Sequence, residues 1–69
     1  MEFNLTDEYI ELYKLLKLMT DVENGAEAKM LIAEGLVSRN GEIETRKRAK
    51  IRENDLITVG EYSIKITNK

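Results

Sequence analysis

Residues 24–41 read Asn24-Gly25-Ala26-Glu27-Ala28-Lys29-Met30-Leu31-Ile32-Ala33-Glu34-Gly35-Leu36-Val37-Ser38-Arg39-Asn40-Gly41, and their punctuation decides the fold. Asn24 is placed as a helix N-cap: its side chain accepts from the first-turn amides while Glu27, three residues on, reaches back. Ala28, Leu31 and Ile32 then recur as a buried helical face, with Lys29 beside it and Glu27, Met30 and Glu34 on the outer side. Gly35 supplies the left-handed residue that closes a helix, so the helix is expected to end at about Glu34. From Leu36 the period changes to two. Leu36 to Arg39, the turn Asn40-Gly41, and Glu42 to Glu44 read as a β-hairpin, because Asn-Gly tolerates the positive φ values of primed turns. A strict two-residue loop would pair Ser38 with Ile43 and put Val37 and Ile43 on opposite faces. A three-residue bulged loop keeps both on one core face and is the expected register.

Upstream, Leu12, Leu15, Leu16 and Met19 make a single stripe at i, i+3, i+4, i+7, which predicts a helix from about Leu12 to Met19. The helix does not extend backwards, since Glu8 would fall inside the apolar stripe and Ile10 would point away from it. Glu8 to Glu11 is therefore expected to be extended, with Ile10 and Leu12 alternating inward. Downstream, Leu56 to Val59, a Gly60-Glu61 turn and Tyr62 to Ile66 form a second hairpin. A type II′ loop there pairs Val59 with Tyr62 and Ile57 with Ile64 on one face. Two helices thus precede a small, mostly antiparallel sheet, an α+β fold.

The chain has 69 residues, no Cys and no His. That is the size of one small domain, taken as residues 1–69 with a core at about 8–67. A chain of this length buries only about 60% of its unfolded surface, which leaves little to line a catalytic cleft. Disulfides, thiolate nucleophiles, imidazole bases and the usual zinc ligands are excluded. The carboxylates are not expected to be buried in a cleft, and no phosphate loop, dinucleotide fingerprint or calcium loop is present, so neither enzymatic activity nor a cofactor is expected. No apolar run reaches the length of a membrane span, and Met1-Glu2-Phe3-Asn4 lacks a signal-peptide pattern. A cytoplasmic monomer without membrane contact is the expectation.

Net charge is −2, yet it is segregated: residues 1–34 hold three basic and eight acidic side chains, residues 35–69 eight and five. The sharpest feature is Arg46-Lys47-Arg48-Ala49-Lys50-Ile51-Arg52, five cations in seven residues with no acid among them. Such a run suits phosphates: each contact displaces a condensed counterion, and Arg adds bidentate geometry. The competing reading is a solvated loop or an edge strand protected by charge. Arg39 extends the cationic surface or else pairs across the hairpin with Glu42 or Glu44. Lys29 joins it or else pairs with a neighbouring Glu. The aromatics, Phe3, Tyr9, Tyr13 and Tyr62, do not form the paired platform on which single-stranded bases stack, and Tyr13 and Tyr62 are expected at the core or its edge.

The pattern A-x-x-L-I-x-x-G-x-V-x-x-N-G, carried by Ala28, Leu31, Ile32, Gly35, Val37, Asn40 and Gly41, resembles the S4 RNA-binding domain. The resemblance spans roughly Glu8 to Val59 and includes the Glu53-Asn54-Asp55 turn. It is nearest to the small stand-alone S4 proteins of the YbcJ type, through Gly25 to Lys29 and Glu44 to Ile51. It implies an S4-like fold (αL motif), with two helices packed on a small sheet, and an RNA-binding surface made by the second helix and the hairpin after it. Structured RNA, ribosomal or transfer RNA, is the implied partner, and an association with the ribosome is compatible with it. Carried over by position, Lys29 matches a basic place on the recognition helix, and Arg46, Lys47, Arg48 and Lys50 match the basic run. Arg39 and Arg52 are added on charge alone. The chain departs from the pattern where Asn24-Gly25 replaces Ser-Arg, which removes one phosphate contact, where Arg39 replaces an aliphatic residue, and where Asn54 replaces Gly. The expectation is a non-catalytic module for structured RNA; a ribosome-associated protein-interaction adaptor is the alternative.

Overall fold

In the computed structural model, which describes residues 1–68, the chain runs β1 (Glu2–Asn4), β2 (Ile10–Glu11), α1 (Leu12–Met19), α2 (Gly25–Ala33), β3 (Val37–Arg39), β4 (Glu42–Ile43), β5 (Lys50–Ile51), β6 (Leu56–Val59) and β7 (Tyr62–Thr67). The architecture is α+β. A five-stranded sheet has the order β1-β7-β6-β3-β4, and β2 pairs with β5 in a separate two-stranded ribbon. All pairings are antiparallel except β1 with β7.

α1 buries Leu12, Leu15 and Leu16 completely, as the stripe requires. α2 begins where Asn24 Oδ1 accepts from the Glu27 amide at 2.9 Å and ends at Gly35, whose φ of +77° is the left-handed cap. Ala28 and Ile32 are fully buried, and Leu31 packs at the edge of the core. Across the sheet, Val37, Ile57, Val59, Ile64 and Ile66 point toward the helices, while Ser63 and Lys65 alternate outward into solvent. The second hairpin has the expected register, Val59 opposite Tyr62 and Ile57 opposite Ile64.

Three expectations are corrected. The first hairpin is the strict two-residue form: Ser38 pairs with Ile43 and Arg39 with Glu42, with φ of +52° at Asn40 and +88° at Gly41. Ile43 accordingly leaves the core and is 67% exposed. The primed turn matches strand twist, and a short strand at the sheet edge does not need both apolar residues inside. The helices do not precede the whole sheet either. β1 joins the far edge parallel to β7, with Phe3 opposite Ile66, a pairing with no local signal. Finally, the extended segment before α1 is only Ile10–Glu11, and residues 6–8 bend.

The register has a direct energetic consequence. Ile43→Thr is expected to change unfolding free energy by less than about 0.5 kcal/mol, whereas Ile57→Ala, at a fully buried position on β6, costs about 2–5 kcal/mol. Urea unfolding of the two variants measures both.

Candidate nucleic-acid interface

The first amides of a helix need partners, and α1 has no side-chain cap at Glu11. The loop after β4 provides them. Leu12 N–H donates to the Ala49 carbonyl at 3.0 Å and Tyr13 N–H to the Lys47 carbonyl at 3.1 Å. The Ala49 amide closes a turn on the Arg46 carbonyl, and its methyl is buried in the core. The backbone of the basic run is thereby pinned to the helix while Arg46, Lys47, Arg48 and Lys50 remain exposed.

The other side of the run is held by Asp55. Its Oδ2 accepts from Arg39 Nη2 at 2.8 Å, Arg39 Nε at 3.2 Å and the Arg52 amide at 2.8 Å, and its Oδ1 accepts from Asn40 Nδ2 at 2.9 Å. Arg39 Nη2 also donates to the Lys50 carbonyl at 2.9 Å, and Asn40 Oδ1 accepts from the Leu56 amide. One carboxylate thus joins the Asn-Gly turn, the end of β5 and the start of β6. Burial alone would raise its pKa. The hydrogen bonds from the Arg52 amide, Asn40 and Arg39, together with the Arg39 charge, outweigh that and hold it below the ordinary value. A buried carboxylate was not expected from the sequence. With both oxygens occupied by fixed donors, it serves structure here.

Arg39, Arg46, Arg48, Lys50 and Arg52, together with Ala49, line one groove of about 520 Å³. Lys47 and Lys29 lie outside that lining. Lys29 instead sits over the Tyr13 ring, with Nζ 4.7 Å from its centroid, and Arg48 approaches the same ring at 5.8 Å. The half-buried Tyr13 therefore joins α2 to the basic run. The cations are not equally available. Arg46 is held by both oxygens of Glu44, which draws the Glu44 carboxyl below its usual range. Arg39 is held by Asp55 and lies 3.7 Å from Glu44, so the cross-strand pairing is realised in part and Asp55 is the stronger partner. Arg48 has only a 3.9 Å approach to Glu11. Among the described residues, Lys29, Lys47, Lys50 and Arg52 make no ion pair.

Two further contributors escaped the sequence reading. Lys17 Cδ comes within 3.6 Å of the place a Cβ on Gly25 would occupy, so α1 brings a cation to the corner that Asn24-Gly25 leaves without an Arg. Its spacing of four from Tyr13 on one face of α1 was the available signal. Tyr9 lies beside Lys50 and Arg52, at 5.2 and 5.7 Å. No local pattern announces that contact, because it depends on the β2–β5 pairing.

The site is thus a pinned loop carrying exposed cations beside a short helix of a small α+β domain. The S4 domain family model matches residues 3–67, and the chain belongs to that family. YbcJ of Escherichia coli K12 is 43% identical over 58 residues, covering 84% of this chain and 83% of YbcJ. YbcJ of Shigella flexneri matches to the same extent. The solution structure of E. coli YbcJ, in which an αL motif is described as involved in RNA binding, superposes with a TM-score of 0.72 at 40% identity, covering 96% of this chain and 85% of that one. The 30S ribosomal protein S4e of Thermoplasma acidophilum shares the fold, with a TM-score of 0.63 at 24% identity over 84% of this chain and 31% of that one. The S4-like, αL-type fold is thus established.

Because the folded pKa of Asp55 is depressed, its contribution is complete above the unfolded value near 4 and is lost as pH falls through the folded value. Asp55→Asn is expected to cost about 2–4 kcal/mol at pH 7. The gap from wild type should narrow as pH falls below about 4, measured by urea unfolding at pH 7 and pH 3.

Proposed function

We propose that the chain is a non-catalytic module that binds structured RNA, ribosomal or transfer RNA, mainly by phosphate contacts from the basic run and α2. The observation that carries this reading is the anchoring of the 46–49 backbone on α1, which presents exposed cations on a frame already ordered before binding. Preorganised cations bind phosphates without the ordering cost that a flexible tail incurs. Lys29, Lys47, Arg48, Lys50 and Arg52 grip the backbone. Arg39 and Arg46, each held by a carboxylate, add positive potential and shape. Lys29 on α2 and the loop are tied through Tyr13, so they meet the RNA as one surface, which suits a folded RNA of fixed phosphate spacing. The kinship with YbcJ, whose αL motif is described as involved in RNA binding, supports the same reading. The proposed setting is the cytoplasm, as a ribosome-associated monomer; among the described residues no helix is long and apolar enough to cross a membrane.

A second reading, a ribosome-associated protein-interaction adaptor, is favoured by a separate groove of about 780 Å³ that shares no residue with the basic one. Its lining includes the apolar Val22, Leu31, Leu36 and Val59 and the acidic Asp21, Glu27 and Glu61. The Tyr62 phenol faces Asp21, which raises its pKa through a hydrogen bond. An apolar lining with acidic residues suits a basic protein segment with an apolar anchor.

Binding to a folded ribosomal RNA fragment and to transfer RNA across a salt series separates the two. With about five phosphates contacted, the logarithmic salt slope is expected near −4. Lys47→Glu/Arg48→Glu should weaken binding strongly and make the slope shallower by about 2. RNA binding unchanged by that variant would contradict the RNA reading and leave the acidic groove as the working surface.

A further inference from the structure

Tyr9 is 39% exposed and stands outside the core cluster. Lys50 Nζ and Arg52 Cζ lie over its ring, and a pocket of about 340 Å³ opens beside it, lined by Asp7, Tyr9, Ile10, Glu11 and Lys14. Resting on the RNA reading above, we propose that this pocket takes one unpaired nucleobase of the bound RNA, stacked on Tyr9, with the adjoining phosphates held by Lys50 and Arg52.

Three observations converge on a base in that place. The volume lies within the range of small-ligand sites and admits a purine. Stacking of a base on an aromatic ring is stronger than an exposed cation–π contact, so an incoming base displaces a flexible Lys50 or Arg52 side chain from the ring and frees it for phosphate. The pocket itself is poorly suited to phosphate, because it is lined by two carboxylates, Asp7 and Glu11, against one cation, Lys14, which Glu11 already holds. As ionised carboxylates they only accept hydrogen bonds, which matches the N–H edge of a base. Glu11 is held in place by Lys14 at 3.1 Å. Tyr13 is different: it packs against the core and lies under Lys29, so it serves as a joint and Tyr9 as the platform. The RNA favoured by this arrangement is a helix interrupted by a bulged or looped-out nucleotide.

The test uses an RNA hairpin with a single bulged guanosine and its fully paired counterpart, titrated with wild type, Tyr9→Phe and Tyr9→Ala, all checked for native circular dichroism. Wild type and Tyr9→Phe should bind the bulged hairpin more tightly than the paired one. Tyr9→Ala should weaken the bulged complex by about 5- to 100-fold, the range that stacking of one base supplies, and weaken the paired complex distinctly less. With 2-aminopurine at the bulge, fluorescence should be quenched by wild type and not by Tyr9→Ala. Equal affinity of wild type for both hairpins, or equal weakening of both by Tyr9→Ala, would overturn the base pocket. If Lys47→Glu/Arg48→Glu loses both hairpins while Tyr9→Ala loses neither, only the pocket fails; if that double variant binds both like wild type, the RNA reading fails with it.

Discussion

The uncapped N-terminus of α1 organises the rest of the molecule. Its amides require acceptors, and the carbonyls of Lys47 and Ala49 are the ones supplied. A loop of like charges would otherwise repel itself into an open ensemble. Two backbone hydrogen bonds and a buried Ala49 methyl hold it against the helix instead. The carbonyls also face the positive end of the helix dipole, an electrostatically favourable placement. The cations are then exposed because the backbone is fixed.

Asp55 performs the matching task on the other flank. By taking Arg39, Asn40 and the Arg52 amide together, it holds the first hairpin against the β5–β6 turn. It also removes Arg39 from the set of free cations. Glu44 does the same to Arg46. The acids therefore divide the basic residues into a structural pair and a free group, a distinction that counting charges cannot make. Both anchors act on the same nine or so residues of loop, and between them they leave a cationic groove joined to α2 through the Tyr13 ring.

Much of the fold was legible in the sequence because its signals are local. The stripe Leu12, Leu15, Leu16, Met19, the Asn24 cap, the Gly35 stop and the Gly60-Glu61 hairpin each lie within a few residues of chain. The features that escaped are long-range or competitive. β1 pairs with β7 more than sixty residues away. A bulged first hairpin would bury Ile43, but the φ preferences of Asn40-Gly41 prevail and Ile43 stays in solvent. At the site, the cations themselves could be read from the run at 46–52 and from Lys29. Their availability could not, since Glu44, Asp55, Tyr9 and Tyr13 reach them only through the tertiary fold. Lys17 was visible as a charge but not as a neighbour of Gly25.

If the anchored loop and α2 form one RNA-binding surface, amide chemical-shift mapping of the protein during titration with a folded ribosomal RNA fragment will show it. The perturbed amides should cluster at Lys29 and residues 46–52, with Tyr9 and Tyr13 beside them, and residues 59–62 should stay still. Perturbations centred on Asp21, Leu31, Leu36 and Glu61, or none at all, would contradict it.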